Sequence, residues 1–328
     1  MDIERRALYT SLRISWLQDP TISVEDWQVE DYREMPYSVL FERLRDKGIN
    51  LDRINFMSLA EQHDTPEEFC RELLENRSLE MKTYDQVYLV IFELWRRLMT
   101  DKPCLTVFCD ELDYLITIYD EGEIDNTEQI QDIIANLQVI LEENADQGVD
   151  PHNVLEYVAT GCAHDIESFL LDYIADQIDN SNFAYASELL EGFSEYISGM
   201  KWFDLQRARL IAQNDPRSAN RVIQQLLDDC QEDSDCLDFY LEVLHFLATE
   251  GDAAFFREIF NKTITLLESE EDFQDLLELC LEYHQNRDND GKVVALQGIQ
   301  ATRRKKNNTA PLDPADLGLS TLRQLMTN

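Results

Sequence analysis

Three short stretches of this chain carry residue types and spacings that could do chemistry, and two of them are quickly weighed. Glu242-x-x-His245 puts a carboxylate and an imidazole on one face of a helix. Two such motifs, joined by two further glutamates on facing helices, make a di-iron carboxylate site. No second Glu-x-x-His occurs. With 66 Asp and Glu in 328 residues a lone match is expected by chance, so His245 reads as a partly buried helix residue. Cys162-x-His164 offers two zinc-ligand types but lacks two more at zinc spacing, and Cys162 reads as core beside a helix-ending Gly161. Carboxylates are so frequent that no pair stands out as general acid and base. The sequence has no Gly-x-Ser-x-Gly, no phosphate-binding Gly-rich loop and no dinucleotide fingerprint. These observations predict a protein that is not an enzyme and uses no cofactor; an enzyme of unrecognised type is the third reading.

The third stretch runs from Asn286 to Gln297 and resembles an EF-hand calcium loop between two helices. Asp288, Asp290, Gly291 and Val293 match its third, fifth, sixth and eighth positions. Asn286 replaces the first aspartate, and Gln297 replaces the bidentate glutamate on which calcium affinity depends. No second loop is present to pair with it. The expectation is a polar glycine turn joining two helices, without micromolar calcium binding.

The elements that must position these residues are helices. Only 10 Gly and 8 Pro punctuate a chain that is 44% hydrophobic, so its elements are long and can bury a core. Helices are predicted at 3–18, at about 38–47 and at 51–61. Another starts at Thr65-Pro66-Glu67-Glu68, with Thr as N-cap, Pro at the first position and Glu three after the cap. Residues 20–36 read as irregular, anchored by Trp27 and Tyr32. Residues 84–99 are apolar on most faces and predict a central buried helix. It is expected to form an antiparallel hairpin with a helix beginning at Pro103, around a turn at 100–102. Residues 120–126 read as a linker. Ile130, Ile133, Ile134, Leu137, Ile140 and Leu141 then mark an amphipathic helix, and Asp150-Pro151 opens the next. No stripe has the period of a strand, so strand content is expected near zero.

From residue 181 a repeat is visible. Helix pairs are predicted to start near Ser181, Pro216 and Asp252. A shift of 34 places Ala219 on Ala253, Val222 on Phe256, Leu226 on Phe260, Phe239 on Phe273, Val243 on Leu277, Phe246 on Cys280 and Leu247 on Leu281. A helix–turn–helix unit of this length resembles the tetratricopeptide repeat, over about 181–285. The family's small residues at helix crossings and its closing proline are mostly absent here. The resemblance implies stacked antiparallel helix pairs, an α-solenoid with a concave binding face, and no particular binding residues. The expected organisation is all-α: an N-terminal helical domain (1–122), an acidic helical-repeat domain (123–306), and a linker with a C-terminal docking helix (307–328). Leu317, Leu319, Leu322 and Leu325 are the docking residues, and they could serve a homo-oligomer.

Charge is the most unusual property. The net charge is −38. Residues 1–102 and 201–328 each hold 14 Lys and Arg, whereas residues 103–200 hold 22 Asp and Glu and no Lys or Arg. Acids there must face solvent, repel one another or meet bases from elsewhere, and an exposed single-sign face attracts basic partners. Arg303-Arg304-Lys305-Lys306 closes a helix and is expected to meet the acidic middle, within the chain or in a dimer. A nucleic-acid patch would need a basic surround, so direct nucleic-acid binding is not expected. The predicted function is a non-enzymatic interaction module, a scaffold, adaptor or chaperone-like protein, for a basic or peptide-like partner. Its predicted contacts are Glu142, Glu143 and Asp146 on the acidic helix and Phe193, Phe239, Phe255 and Phe256 on the repeats. The alternative is an acidic mimic of nucleic acid that occupies a basic groove. The seven cysteines form no Cys-x-x-Cys pair, and no apolar run approaches the 18 residues of a membrane span or resembles a leader. The expected location is the reducing cytoplasm, with no membrane partner.

Overall fold

A computed structural model describes residues 4–77, 79–122, 127–230, 236–249 and 251–327, without the side chain of Thr327. Those residues form eighteen α-helices and a short 3-10 turn. They contain no strand and one isolated bridge, Ser269 with Pro311. The fold is all-α, as the period of the apolar stripes predicts. No helix among the described residues is long and apolar enough to cross a membrane. The chain divides into two compact units, residues 1–170 with 195–198, and residues 171–194 with 199–328. The expected boundary at 122/123, like most of the 120–126 linker, lies outside the described residues.

The first unit opens with α1 (Arg5–Gln18), α2 (Asp26–Val29), the 3-10 turn (Tyr32–Glu34), α3 (Tyr37–Asp46) and α4 (Arg53–Ala60). The stretch expected to be irregular therefore holds two short helical turns. Its anchors are real: Tyr32 is buried, and the Trp27 ring lies 5.4 Å from that of Tyr9. Next come α5 (Pro66–Leu74), where the Thr65 hydroxyl accepts from the Glu68 N–H at 3.2 Å, and α6 (Met81–Leu98). Every side chain of α6 from Val87 to Leu98 except Arg96 and Arg97 is buried, which makes it the axis of this core. Around it pack α3, α5 and the 3-10 turn.

The expected hairpin of α6 with α7 (Leu105–Asp120) does not form; α7 packs on α1 and α8 (Thr127–Asp146) instead. Charge ties α7 to α1 and the 3-10 turn, and also to α6, where Arg96 lies 3.8 Å from Glu111. Asp110 and Glu111 on α7 need cations that 103–200 cannot supply. Buried Asp110 accepts from Arg6 Nε and from Arg33 Nη2, both at 2.6 Å, and Arg33 Nη1 meets Glu111 at 3.0 Å. Burial pushes the Asp110 carboxyl up, but the two guanidiniums outweigh it and hold it below the ordinary carboxylate value. After α7 and α8 come α9 (Pro151–Thr160), capped by Asp150 on the His152 N–H at 3.1 Å, and α10 (Ile166–Asp179), through which the division into units passes.

The second unit contains the three predicted helix pairs: α11 (Phe183–Phe193) with α12 (Met200–Ala212), α13 (Pro216–Asp229) with α14 (Cys236–Thr249), and α15 (Ala253–Thr263) with α16 (Glu270–Gln285). Each later pair packs on the one before it, through α12 on α13 and α14, and α14 on α15 and α16. The shift of 34 holds for the second helices, where Phe239, Val243 and Phe246 are buried like Phe273, Leu277 and Cys280. It fails for the first helices. Buried Ala219, Ile223 and Leu227 correspond by burial to Phe256, Phe260 and Ile264, because the capping aspartates at 215 and 252 stand 37 apart.

Following the pairs, α17 (Asp290–Arg303) packs on α16, and α18 (Leu317–Thr327) folds back on α15, α16 and α17. Leu319, Leu322 and Met326 are buried there, Leu325 partly, and only Leu317 stays outside at 83% exposure. The docking helix therefore docks on its own unit, and the apolar face that a homo-oligomer through it would need is already covered. Arg303 likewise stays local rather than meeting the acidic middle. It is buried against buried Glu270, with two 2.8 Å bonds, and reaches Asp316 at 2.7 Å. Lys306 joins Asp316 at 3.1 Å, whereas Arg304 and Lys305 are exposed. Burial would raise the Asp316 carboxyl, but Arg303, Lys306 and the Gly318 N–H hold it at about 2.

Candidate partner-binding groove

Two of the candidate chemistries have structural occupations. The buried Asp113 carboxylate accepts the backbone N–H groups of Ala163 (2.8 Å at Oδ2) and His164 (3.0 Å) and contacts the His164 ring nitrogen Nδ1 at 3.0 Å. It is a fastener between α7 and the α9–α10 turn. Thr117, 3.5 Å from the other His164 nitrogen, donates its hydroxyl to the Asp113 carbonyl at 2.9 Å and is tied into its own helix. Cys162 is buried, as expected. His245 differs from expectation: it is exposed, and its ring lies 3.2 Å from Glu282, which belongs to the next pair. Glu242 and His245 thus face outward rather than into a bundle core.

The stretch 286–297 is a turn. Asn286 ends α16, Asn289 precedes α17, and positions five to twelve of the supposed loop are helical. The left-handed residue is Asp288, at φ 53°, rather than Gly291, which lies inside α17. Arg287 secures the turn by donating to the carbonyls of Ala248 (2.9 Å) and Gly251 (3.0 Å) and lying over the Tyr283 ring. Among the described residues no group of three or more His, Cys, Asp or Glu is placed to hold a metal.

The predicted partner contacts fare unequally. Phe193, Phe239 and Phe256 have no exposed surface, and Phe255 has 9%. They are the interior of the stack, with Phe256 stacked on Tyr283 at 4.0 Å between ring centres and Phe239 edge-on to Trp202 at 5.1 Å. Aromatic side chains at the repeat period fill the space between helices, so they have nothing to offer a partner. Glu142, Glu143 and Asp146 are exposed on α8, but they do not act together. Glu142 and Asp146, one turn apart, stand with Glu195 around Tyr196; burial and then these charges raise that phenol above its ordinary value. Glu143 looks elsewhere.

Glu143 lines a groove of about 590 Å³ formed by the start of α7, the second half of α8 and the end of α9. Its apolar walls are Pro103, Leu105, Phe108, Val139, Ile140, Tyr157 and Val158, and Asn136 and Asn144 complete it. The buried stripe of α8 is Ile130, Ile133, Ile134, Leu137 and Leu141. Val139 lies on the opposite side of the helix and is 50% exposed, and Tyr157 on α9 is 59% exposed. Both are apolar surface that the core does not use. Burial raises the Cys104 thiol above its ordinary value, so this half-buried cysteine is a wall rather than a nucleophile. The groove was missed in the sequence, although one signal existed: a β-branched Val139 stands where an amphipathic helix should present a polar residue. The exposed acids nearby are Glu143 of the lining, Glu142, Asp146 and, on α9, Glu156. Asp110 and Asp113 are buried and Glu111 half-buried, so the acids of 103–200 do not all belong to an outer face.

No family model matches the chain, and neither does any curated protein or solved structure.

Proposed function

We propose that this protein is a non-enzymatic interaction module whose α7–α8–α9 groove holds a basic, amphipathic segment of a partner protein. The observation that carries the reading is an apolar groove set in a sequence region without Lys or Arg. Exposed Val139 and Tyr157 lie in the groove beside Glu143. An amphipathic helix or extended peptide places its apolar side chains in such a groove, and its flanking Lys and Arg meet the acids around it. The apolar walls supply the binding free energy; the acids speed encounter and repel acidic competitors. An imitation of nucleic acid would need carboxylates where Phe108, Val139 and Tyr157 stand.

The test separates the groove from general attraction to a chain of charge −38. A fluorescent peptide of alternating Lys and Leu at helical spacing is titrated against the full chain, and anisotropy is read at low and high salt. Val139→Asp adds a further negative charge, so adsorption by charge alone should strengthen. Occupancy of the groove should weaken, by tenfold or more. Tyr157→Ser should weaken binding without changing charge. If Val139→Asp binds the peptide as well as or better than the parent, the groove reading is wrong.

A further inference from the structure

The second unit holds a pair of thiols that nothing so far has used. Cys230 caps the C-terminal end of α13 and is buried; Cys236 is the first residue of α14 and is half-buried. Their Sγ atoms are 3.2 Å apart. A disulfide bond is roughly 2.0 Å long, so joining them asks for about an ångström of approach at a junction between two helices. The contrast is with Cys109 and Cys162 of the first unit. Those thiols both lean on the Val158 carbonyl, at 3.6 and 3.5 Å, but both are buried. Gly161 closes over them so tightly that a side chain there would press on Cys109 Sγ at 2.9 Å. One pair is sealed; the other has an accessible member.

We propose that Cys230 and Cys236 form a redox modification site, which a small-molecule disulfide of the glutathione type converts to an intramolecular disulfide. The Cys236 thiolate attacks one sulfur of oxidised glutathione, breaking its S–S bond and releasing one glutathione thiolate. The Cys230 thiolate then attacks Cys236 Sγ and displaces the second glutathione. Two protein thiols are oxidised by two electrons, glutathione disulfide is reduced to two thiols, and the two protons pass to those thiols. The product ties the end of α13 to the start of α14. The sealed pair is not oxidised under the same conditions because the first attack needs contact with the oxidant.

The experiment uses the full reduced chain, incubated with oxidised glutathione, alkylated and digested with trypsin. Cys230 and Cys236 fall in one tryptic peptide, 222–257, because no Lys or Arg lies between Arg221 and Arg257. After oxidation this peptide should be lighter by two hydrogen atoms and refuse alkylation. Cleavage after Glu232 should leave its halves linked until a reductant is added. Cys236→Ser should abolish the mass change, and the oxidised parent should unfold at a higher temperature than the reduced parent while the variant shows no shift. The proposal is overturned if glutathione remains attached to Cys236 with Cys230 still open to alkylation. It is equally overturned if both thiols alkylate after oxidation, or if Cys109 and Cys162 oxidise first.

Discussion

The α8–α9 face and the repeat array are both built from amphipathic helices, and they spend their apolar residues in opposite ways. In the array nearly every large side chain goes inward, from Phe193 through Phe239 and Phe256 to Phe273, and α18 covers what would remain at the end. On α8 and α9 a complete buried stripe coexists with Val139 and Tyr157 outside it. An aromatic residue in phase with a repeat is committed to packing. An apolar residue out of phase with its own helix is surplus to packing, and surplus is what a partner can use.

That contrast can be broken most forcefully inside the second unit. Phe239→Ala should cost about 3–5 kcal/mol by opening a cavity, read from urea unfolding. Glu270→Ala should cost less, about 1.5–3 kcal/mol, because Arg303 loses its two bonds to Glu270 but keeps Asp316. If either were tolerated within about 0.5 kcal/mol, the array would not be the close-packed region described above.

The next effect depends on pH and is confined to the same unit. His284 is buried, with its Nε2 unpartnered. Burial, then the nearby Lys292 and Arg287 charges, lower it to about 4. The unfolded chain takes up this proton near pH 6.5, the folded chain only near 4, so stability falls as pH drops between those values and levels off below. The full difference is about 3 kcal/mol. Unfolding midpoints measured from pH 7 to 4 should fall less steeply in His284→Asn than in the parent; parallel curves would remove His284 from the account.

On the α8–α9 face the same kind of mutation should hardly register in folding. Tyr157→Ser and Val139→Asp should shift unfolding by no more than about 0.5–1 kcal/mol while reducing peptide binding. Smallest of all, charge reversal should leave circular dichroism unchanged. Glu143→Lys should slow association of a basic peptide more than Glu142→Lys or Asp146→Lys, because only Glu143 lines the groove. Equal effects from all three would mean that the field of the whole face acts, and not the groove.

Much of the fold was readable where the signal is local. Thr65-Pro66, Asp150-Pro151 and Pro216 open helices because capping and proline chemistry act within one turn. The three helix pairs followed from period and spacing. What escaped was set by distant partners. Arg6 and Arg33 find Asp110 across 104 and 77 residues, and no periodicity reports such a pairing. The repeat phenylalanines were placed on the right helices, but a stripe says which face is apolar and not whether another helix covers it. The three α8 acids were rightly seen as exposed, yet neighbours in sequence diverge by about 100° per residue on a helix. Glu142 and Glu143 therefore look in different directions.

The absence of Lys and Arg from 103–200 also determines how this surface can be observed. Trypsin has no cleavage point between Lys102 and Lys201, so α7 through α11 stay in one peptide. Amine-directed labels, crosslinkers and lysine-modifying enzymes find no target along the groove helices either. A carbodiimide that joins carboxylate to amine without a spacer inverts the situation. At the groove the protein can supply only the acid and the partner must supply the lysine, so any crosslink mapped to Glu143 would identify a basic residue of whatever occupies it.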